Sequence, residues 1–164
     1  MILDIFPEKC TGCLLCELHC SLAHEGCVNP ELSRIHILAD RNRRTLIPIA
    51  CIPCEDKPCI PACPEPGAIQ LNAQGKVEIT EGLCTACAKC AHACQIGAIR
   101  IHRLPGRGKN GKAVALKCDQ CKGDPWCSKV CPTAAIIRVD DLTESQTTFE
   151  RLLTTHHLLV RMEK

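Results

Sequence analysis

Apolar and polar positions alternate along this chain in short runs, and alternation with a period of two marks a half-buried strand. Ala68-Ile-Gln-Leu71 and Lys76-Val-Glu-Ile79 flank Asn72-Ala-Gln-Gly75, a turn sequence, and together predict a β-hairpin. Arg34-Ile-His-Ile-Leu38 and Thr45-Leu-Ile-Pro-Ile49 flank the polar run Asp40-Arg-Asn-Arg43 and predict a second. Ile99-Arg-Ile101 and Ala113-Val-Ala-Leu116 flank the longer loop Pro105 to Lys112 and predict a third. Near the C-terminus the period changes. Thr143-Glu-Ser-Gln146 matches a capping box, and Phe149, Leu152, Leu153, His156 and Leu159 then recur at helical spacing, with Glu150, Arg151 and Arg161 off the stripe. The pattern predicts an α+β fold of hairpins and short helices over residues 1–140, followed by an amphipathic helix in 141–164.

Composition changes the picture of what fills the core. Hydrophobic residues are 46% of 164, but that share includes 17 cysteines, with two Phe, one Trp and no Tyr. Cysteine at this level makes cross-links or metals dominate a fold. Lys plus Arg is 20 and Asp plus Glu is 18, a net charge of +2, so no basic surplus points to nucleic acid. With so few aromatics there is no platform for stacking bases. No apolar run approaches the roughly 18 residues needed to span a bilayer. The first ten residues lead directly into a cysteine motif and leave no room for a secretory signal, so a soluble cytoplasmic protein is expected.

Sixteen of the cysteines fall into four groups of four. They are Cys10, Cys13, Cys16 and Cys20; Cys51, Cys54, Cys59 and Cys63; Cys84, Cys87, Cys90 and Cys94; and Cys118, Cys121, Cys127 and Cys131. The first and third share the spacing C-x2-C-x2-C-x3-C, and the second and fourth widen one gap and carry Pro64 and Pro132 after the last cysteine. Disulfides are disfavoured by the expected compartment and the odd total. Structural zinc usually takes two separated pairs of ligands. Three thiols in one tight loop, with a fourth shortly after, match a 4Fe–4S cluster, whose fourth cysteine in two-cluster ferredoxins reaches the neighbouring cluster. Four 4Fe–4S clusters are therefore expected as the cofactors.

The gap from Cys63 to Cys84 is one short hairpin, which favours groups two and three as one module, although the gap from Cys94 to Cys118 also holds a hairpin. All sixteen cysteines, with Lys117-Cys-Asp-Gln-Cys121 and Cys131-Pro-Thr-Ala-Ala-Ile136, resemble the four-cluster ferredoxin-like electron-transfer subunits of multi-subunit oxidoreductases. Those include iron–sulfur subunits of molybdenum and tungsten enzymes, formate hydrogenlyase-type complexes and carbon monoxide dehydrogenase. The resemblance implies two nested ferredoxin-like modules, the outer from 10–20 and 118–131 and the inner from 51–63 and 84–94. Under nesting, Cys131 completes group one, Cys20 group four, Cys94 group two and Cys63 group three.

The expected function is a relay of single electrons between a catalytic oxidoreductase subunit and another redox partner, without a substrate site of its own. The resemblance points first to a tungsten or molybdenum enzyme acting on an aldehyde or formate. A free polyferredoxin carrier, or a subunit of a hydrogenase or carbon monoxide dehydrogenase, is the alternative. Four clusters at about −2 each would bring the loaded protein to about −6.

Other residues invite particular expectations. His19 and His92 either hydrogen-bond a cluster sulfur or sit partly exposed on a helical turn. Short helices are expected after the fourth cysteine of several groups. Cys27, the one left over, is expected as a small buried residue rather than a reactive thiol. Trp126 is expected to shield a cluster rather than anchor a partner. The loop carrying Arg107, Lys109 and Lys112 either steers an acidic partner or is simply solvated. The C-terminal helix packs on the body, docks to a catalytic subunit, or meets another copy; if it docks, deleting 143–164 abolishes the complex and spares the iron.

Overall fold

The computed structural model describes residues 2–40, 45–140 and 148–154. Its strands form four separate antiparallel pairs. The three predicted hairpins are present. β2 (His36–Asp40) pairs with β3 (Thr45–Ile49), β4 (Ile69–Leu71) with β5 (Val77–Ile79), and β6 (Arg100–His102) with β7 (Val114–Leu116). Pro48 is tolerated in β3 because, among the described residues, that sheet has two strands and β3 pairs on one side alone. The turn between β4 and β5 is built by Asn72, whose Oδ1 accepts from the N–H groups of Gln74 and Lys76, and by Gly75 at φ +72°. The turn expected at Asp40 to Arg43 lies largely outside the described residues.

The fourth pair joins the two ends of the chain. β1 (Ile2–Ile5) runs antiparallel to β8 (Ile136–Val139), with Ile2 opposite Val139 and Ile5 opposite Ile136. Phe6 N–H extends the ladder to Ala135 O at 2.8 Å.

The helices correct one expectation. α1 (Leu15–Glu25) begins just before Cys16 and runs through Cys20; α2 (Lys89–Ala93) and α3 (Trp126–Val130) end just before Cys94 and Cys131. Helix therefore starts just before the third cysteine of these groups; in α1 it also extends past the fourth, as expected, whereas α2 and α3 stop before it. The physical reason is the x3 spacing, which puts the third and fourth cysteines at i and i+4, on the same side of a helical turn. α1 then continues to Gly26, whose left-handed φ of +69° lets its N–H bond to Leu22 O and end the helix.

Isoleucine replaces the missing aromatics. Ile2, Leu3, Ile5, Ile35, Ile47, Ile49, Ile52, Ile96 and Ile136 form one core with Cys16, Cys20, Cys118 and Cys127. Ile69, Ile99, Val114 and Leu116 form a second with Cys59, Cys84 and Cys90, and Cys94 packs against both.

Residues 148–154 are helical (α4), and they pack on the body. Thr148 and Leu152 are fully buried, and Phe149 and Leu153 pack against the first core. Thr148 donates to Asp4 of β1, and Arg151 donates to Asp4 Oδ1 at 3.1 Å and to Ile5 O at 2.8 Å. The capping box at Thr143 to Gln146, His156 and Leu159 lie outside the described residues.

Candidate iron–sulfur sites

The cysteine loops adopt backbone conformations that few side chains favour. In group one, Gly12 (φ +69°) and Leu14 (φ +60°) are left-handed; in group three the matching Ala86 (φ +56°) and Ala88 (φ +64°) are too. Left-handed backbone costs an ordinary residue roughly 1–2 kcal/mol, and it recurs here at the same positions of a repeated motif. Residues of alternating hand turn successive N–H groups to one side, which makes a concavity suited to an anion. Group four makes a left-handed run of its own at Gln120, Cys121 and Lys122, and group two has Lys57 at φ +43°.

The thiols gather across groups. One cavity is lined by Cys10, Cys13, Cys16 and Cys131. A second is lined by Cys63, Cys84, Cys87 and Cys90. A third holds Cys51, Cys54, Cys59 and Cys94, with Cys118 on its wall. Cys127 faces Cys118, Cys20 and Cys121, which brings the remaining four together. Three cavities thus each bring together three cysteines of one loop and one of another, and Cys20, Cys118, Cys121 and Cys127 are the four that remain.

Eight of these thiols sit where a thiolate would be costly. Burial pushes Cys16 and Cys118 up to about 12 and Cys59 and Cys90 up to about 11; it also raises Cys10, Cys51, Cys121 and Cys127. Cys131 shifts the other way. Burial pushes it up, but hydrogen bonds from Ile136 N–H, the Thr133 side chain and the N–H groups of Thr133 and Ala135 outweigh that, and the net shift is downward. Packed thiols of this kind ionise when a cation centre supplies the compensating charge, so an all-sulfur donor set fits a metal cluster.

Backbone N–H groups address several sulfurs. Arg34 N–H reaches Cys20 Sγ at 3.3 Å, Ala98 N–H Cys94 Sγ at 3.2 Å, Ala115 N–H Cys84 Sγ at 3.4 Å and Gln120 N–H Cys118 Sγ at 3.3 Å. A histidine that the motif pattern did not single out contacts a cysteine sulfur. His24 Nε2 lies 3.5 Å from Cys121 Sγ and 3.4 Å from Asp119 Oδ1. Its signal was position, four residues after Cys20 on the same side of α1. His19 instead stacks on Trp126, with ring centroids 6.5 Å apart, and His92 is exposed.

Two further expectations change. Cys27 is exposed, because Gly26 turns the chain away from the core and into a surface segment where Val28 is 61% exposed. The loop after β6 is neither a free steering patch nor merely solvated. Arg107 pairs with Glu25 of α1 and with Glu81, and Lys109 pairs with Glu65 at 2.7 Å while its N–H donates to Cys84 O, leaving Lys112 exposed. Trp126 is 45% exposed, with Lys129 Nζ 4.9 Å from its ring, and its N–H bonds to Cys121.

No protein-family model matches the chain. Relatives do. A polyferredoxin-like subunit of aliphatic sulfonate oxidoreductase from Pyrococcus furiosus is 38% identical over 130 residues, covering 79% of this chain and 70% of that one. The electron transport protein HydN of Escherichia coli is 37% identical over 151 residues, covering 81% and 84%. The chain belongs to the ferredoxin-like iron–sulfur electron-transfer subunits. Formate hydrogenlyase subunit 2 of Escherichia coli, a further member, is 30% identical over 162 residues and covers 80% and 78%. The chain's role is electron transfer, and its cysteines serve iron–sulfur chemistry. No helix among the described residues is long and apolar enough to cross a membrane.

Proposed function

We propose that residues 1–140 hold four 4Fe–4S clusters in two nested ferredoxin-like modules, as a relay serving a catalytic oxidoreductase subunit in the cytoplasm. The observation that carries this reading is the cross-grouping of thiols, in which the fourth cysteine of each loop lies with three from another. The ligand sets are Cys10, Cys13, Cys16 and Cys131; Cys118, Cys121, Cys127 and Cys20; Cys51, Cys54, Cys59 and Cys94; and Cys84, Cys87, Cys90 and Cys63. A cluster in each set supplies one-electron storage.

The chain's own part is spacing and shielding. Cys127 faces Cys16, so the first two sets abut; Cys118 faces Cys51, so the second abuts the third; Cys59, Cys84 and Cys90 share one core, so the third abuts the fourth. The order is linear. Cys13 and Cys87, in the two terminal sets, are exposed, so partners meet the relay at those ends. The buried isoleucines keep water from the interior sets, and N–H groups aimed at sulfur temper the added negative charge.

Changing Cys63 to Ser tests the nesting. The spectroscopic change is expected at the cluster of Cys84, Cys87 and Cys90; a change at the cluster of Cys51, Cys54 and Cys59 contradicts it. The partner is inferred to be a tungsten or molybdenum enzyme acting on an aldehyde or formate. Stoichiometric tungsten or molybdenum in the anaerobically purified complex supports that assignment. Nickel points instead to hydrogenase or carbon monoxide dehydrogenase chemistry, and a single polypeptide carrying iron alone to a free carrier.

A further inference from the structure

Lys117 lies at the seam between the two interior thiol sets, and its side chain has no part in ligation. The residue is 7% exposed. Its Nζ donates to Val77 O at 2.5 Å and to Cys118 O at 2.8 Å, and it also hydrogen-bonds Cys51. Three acceptors use the three protons of an ammonium group. Lys117 lines the cavity of Cys51, Cys54, Cys59 and Cys94, and its charge acts on Cys59 and Cys118 as well.

A buried cation is costly unless something compensates it. No carboxylate among the described residues forms an ion pair with Lys117. Glu78 and Asp119 line the same cavity without pairing with it, and the groups it hydrogen-bonds are two carbonyls and a sulfur, so the compensating charge in contact with it is that of ligated thiolate. The other three sets differ. Their sulfurs meet backbone N–H groups, the Thr133 hydroxyl and His24, and among the described residues none takes a hydrogen bond from a lysine, although the charge of Lys117 also acts on Cys118. Reduction adds an electron to a cluster, and a fixed positive charge in a poorly screened interior favours the more negative state.

We propose that Lys117 is a positioning residue that raises the reduction potential of the cluster held by Cys51, Cys54, Cys59 and Cys94, making this interior site the place where an electron rests within the relay. The inference rests on the cluster assignment proposed above. It gives the relay an uneven profile, with the best acceptor inside and the exposed ends free to exchange electrons with partners.

The test is an EPR-monitored redox titration of the full chain, purified without oxygen, with iron content measured on each sample. Lys117→Gln keeps a donor for the two carbonyls and removes the charge; Lys117→Met removes both; Lys117→Arg keeps the charge. In the Gln and Met variants one component is expected to fall by at least tenfold in its reduction equilibrium, about 59 mV for one electron. The Arg variant is expected to leave that component in place. The displaced component should be the one lost in Cys54→Ser. Full iron with unshifted potentials in the neutral variants overturns the proposal. So does loss of iron in both neutral variants with recovery in the Arg variant, which makes the lysine a structural tie. Wild-type iron well below about 16 atoms per chain, with no component lost in Cys54→Ser, overturns the cluster assignment instead.

Discussion

Two glycines in the loop after β6 separate backbone strain from steric clash. Gly108 and Gly111 are both left-handed, at φ +73° and +63°. A Cβ on Gly111 meets nothing within 4 Å, whereas one on Gly108 lands 2.0 Å from Ala113 O and 3.0 Å from Cys84 O. Alanine at either position incurs the left-handed cost, roughly 1–2 kcal/mol. At Gly108 the clash is with backbone, so Ala113 or Cys84 must move by about an ångström, and overpacking of that kind adds about 1–3 kcal/mol. The strain falls on a ligand. Lys109 N–H holds Cys84 O at 2.7 Å, and Ala115 N–H, in β7, holds Cys84 Sγ. The assay is anaerobic bleaching of visible absorbance by an iron chelator, whose rate follows the opening of the site. Gly108→Ala is expected to bleach roughly 5- to 150-fold faster than Gly111→Ala, the factor that 1–3 kcal/mol represents. Equal rates refute the claim that this loop braces Cys84.

Further outcomes follow from the same packing. Leu152 is fully buried, so Leu152→Ala is expected to lower stability by about 2–5 kcal/mol in chemical denaturation, although it lies outside every cysteine group; no change would mean that α4 is not part of the body. For the same reason a chain ending at residue 147 should be less stable than one ending at 154; loss of the oxidoreductase complex already in the chain ending at 154 places docking in 155–164. Arg107→Gln breaks the pairs to Glu25 and Glu81, and an expected loss of about 1–3 kcal/mol is read by the same denaturation; a wild-type midpoint shows that the ties carry no stability. Brief anaerobic alkylation of the loaded native protein should label Cys27, the exposed cysteine outside the four sets, and spare the ligands. Labelling spread over Cys13 or Cys87 contradicts their ligation.

What could be read from the sequence was local. The 68–79 hairpin was legible because Asn72 and Gly75 carry their turn in their own chemistry. The four thiol groups were legible because ligand spacing survives any ambiguity about the backbone between. The pairing of β1 with β8 was not, since two four-residue strands more than 130 positions apart share no turn and no local register signal. The helices were misplaced because five-residue segments such as Lys89–Ala93 are too short to show a period, and they start after left-handed Leu14 or Ala88 rather than a recognisable capping residue. Arg107 read as a free cation because its partners, Glu25 and Glu81, come from distant segments. Lys117 was visible only as part of a motif, and its burial between two thiol sets is a property of the fold.

The central claim is that sixteen cysteines hold four clusters in one chain. Iron, acid-labile sulfide and zinc measured together on the anaerobically purified protein test it most directly. About 16 iron and 16 sulfide per chain, with no stoichiometric zinc, are expected. About 12 iron or fewer in fully folded protein, or zinc in place of iron at any of the four sets, contradicts it.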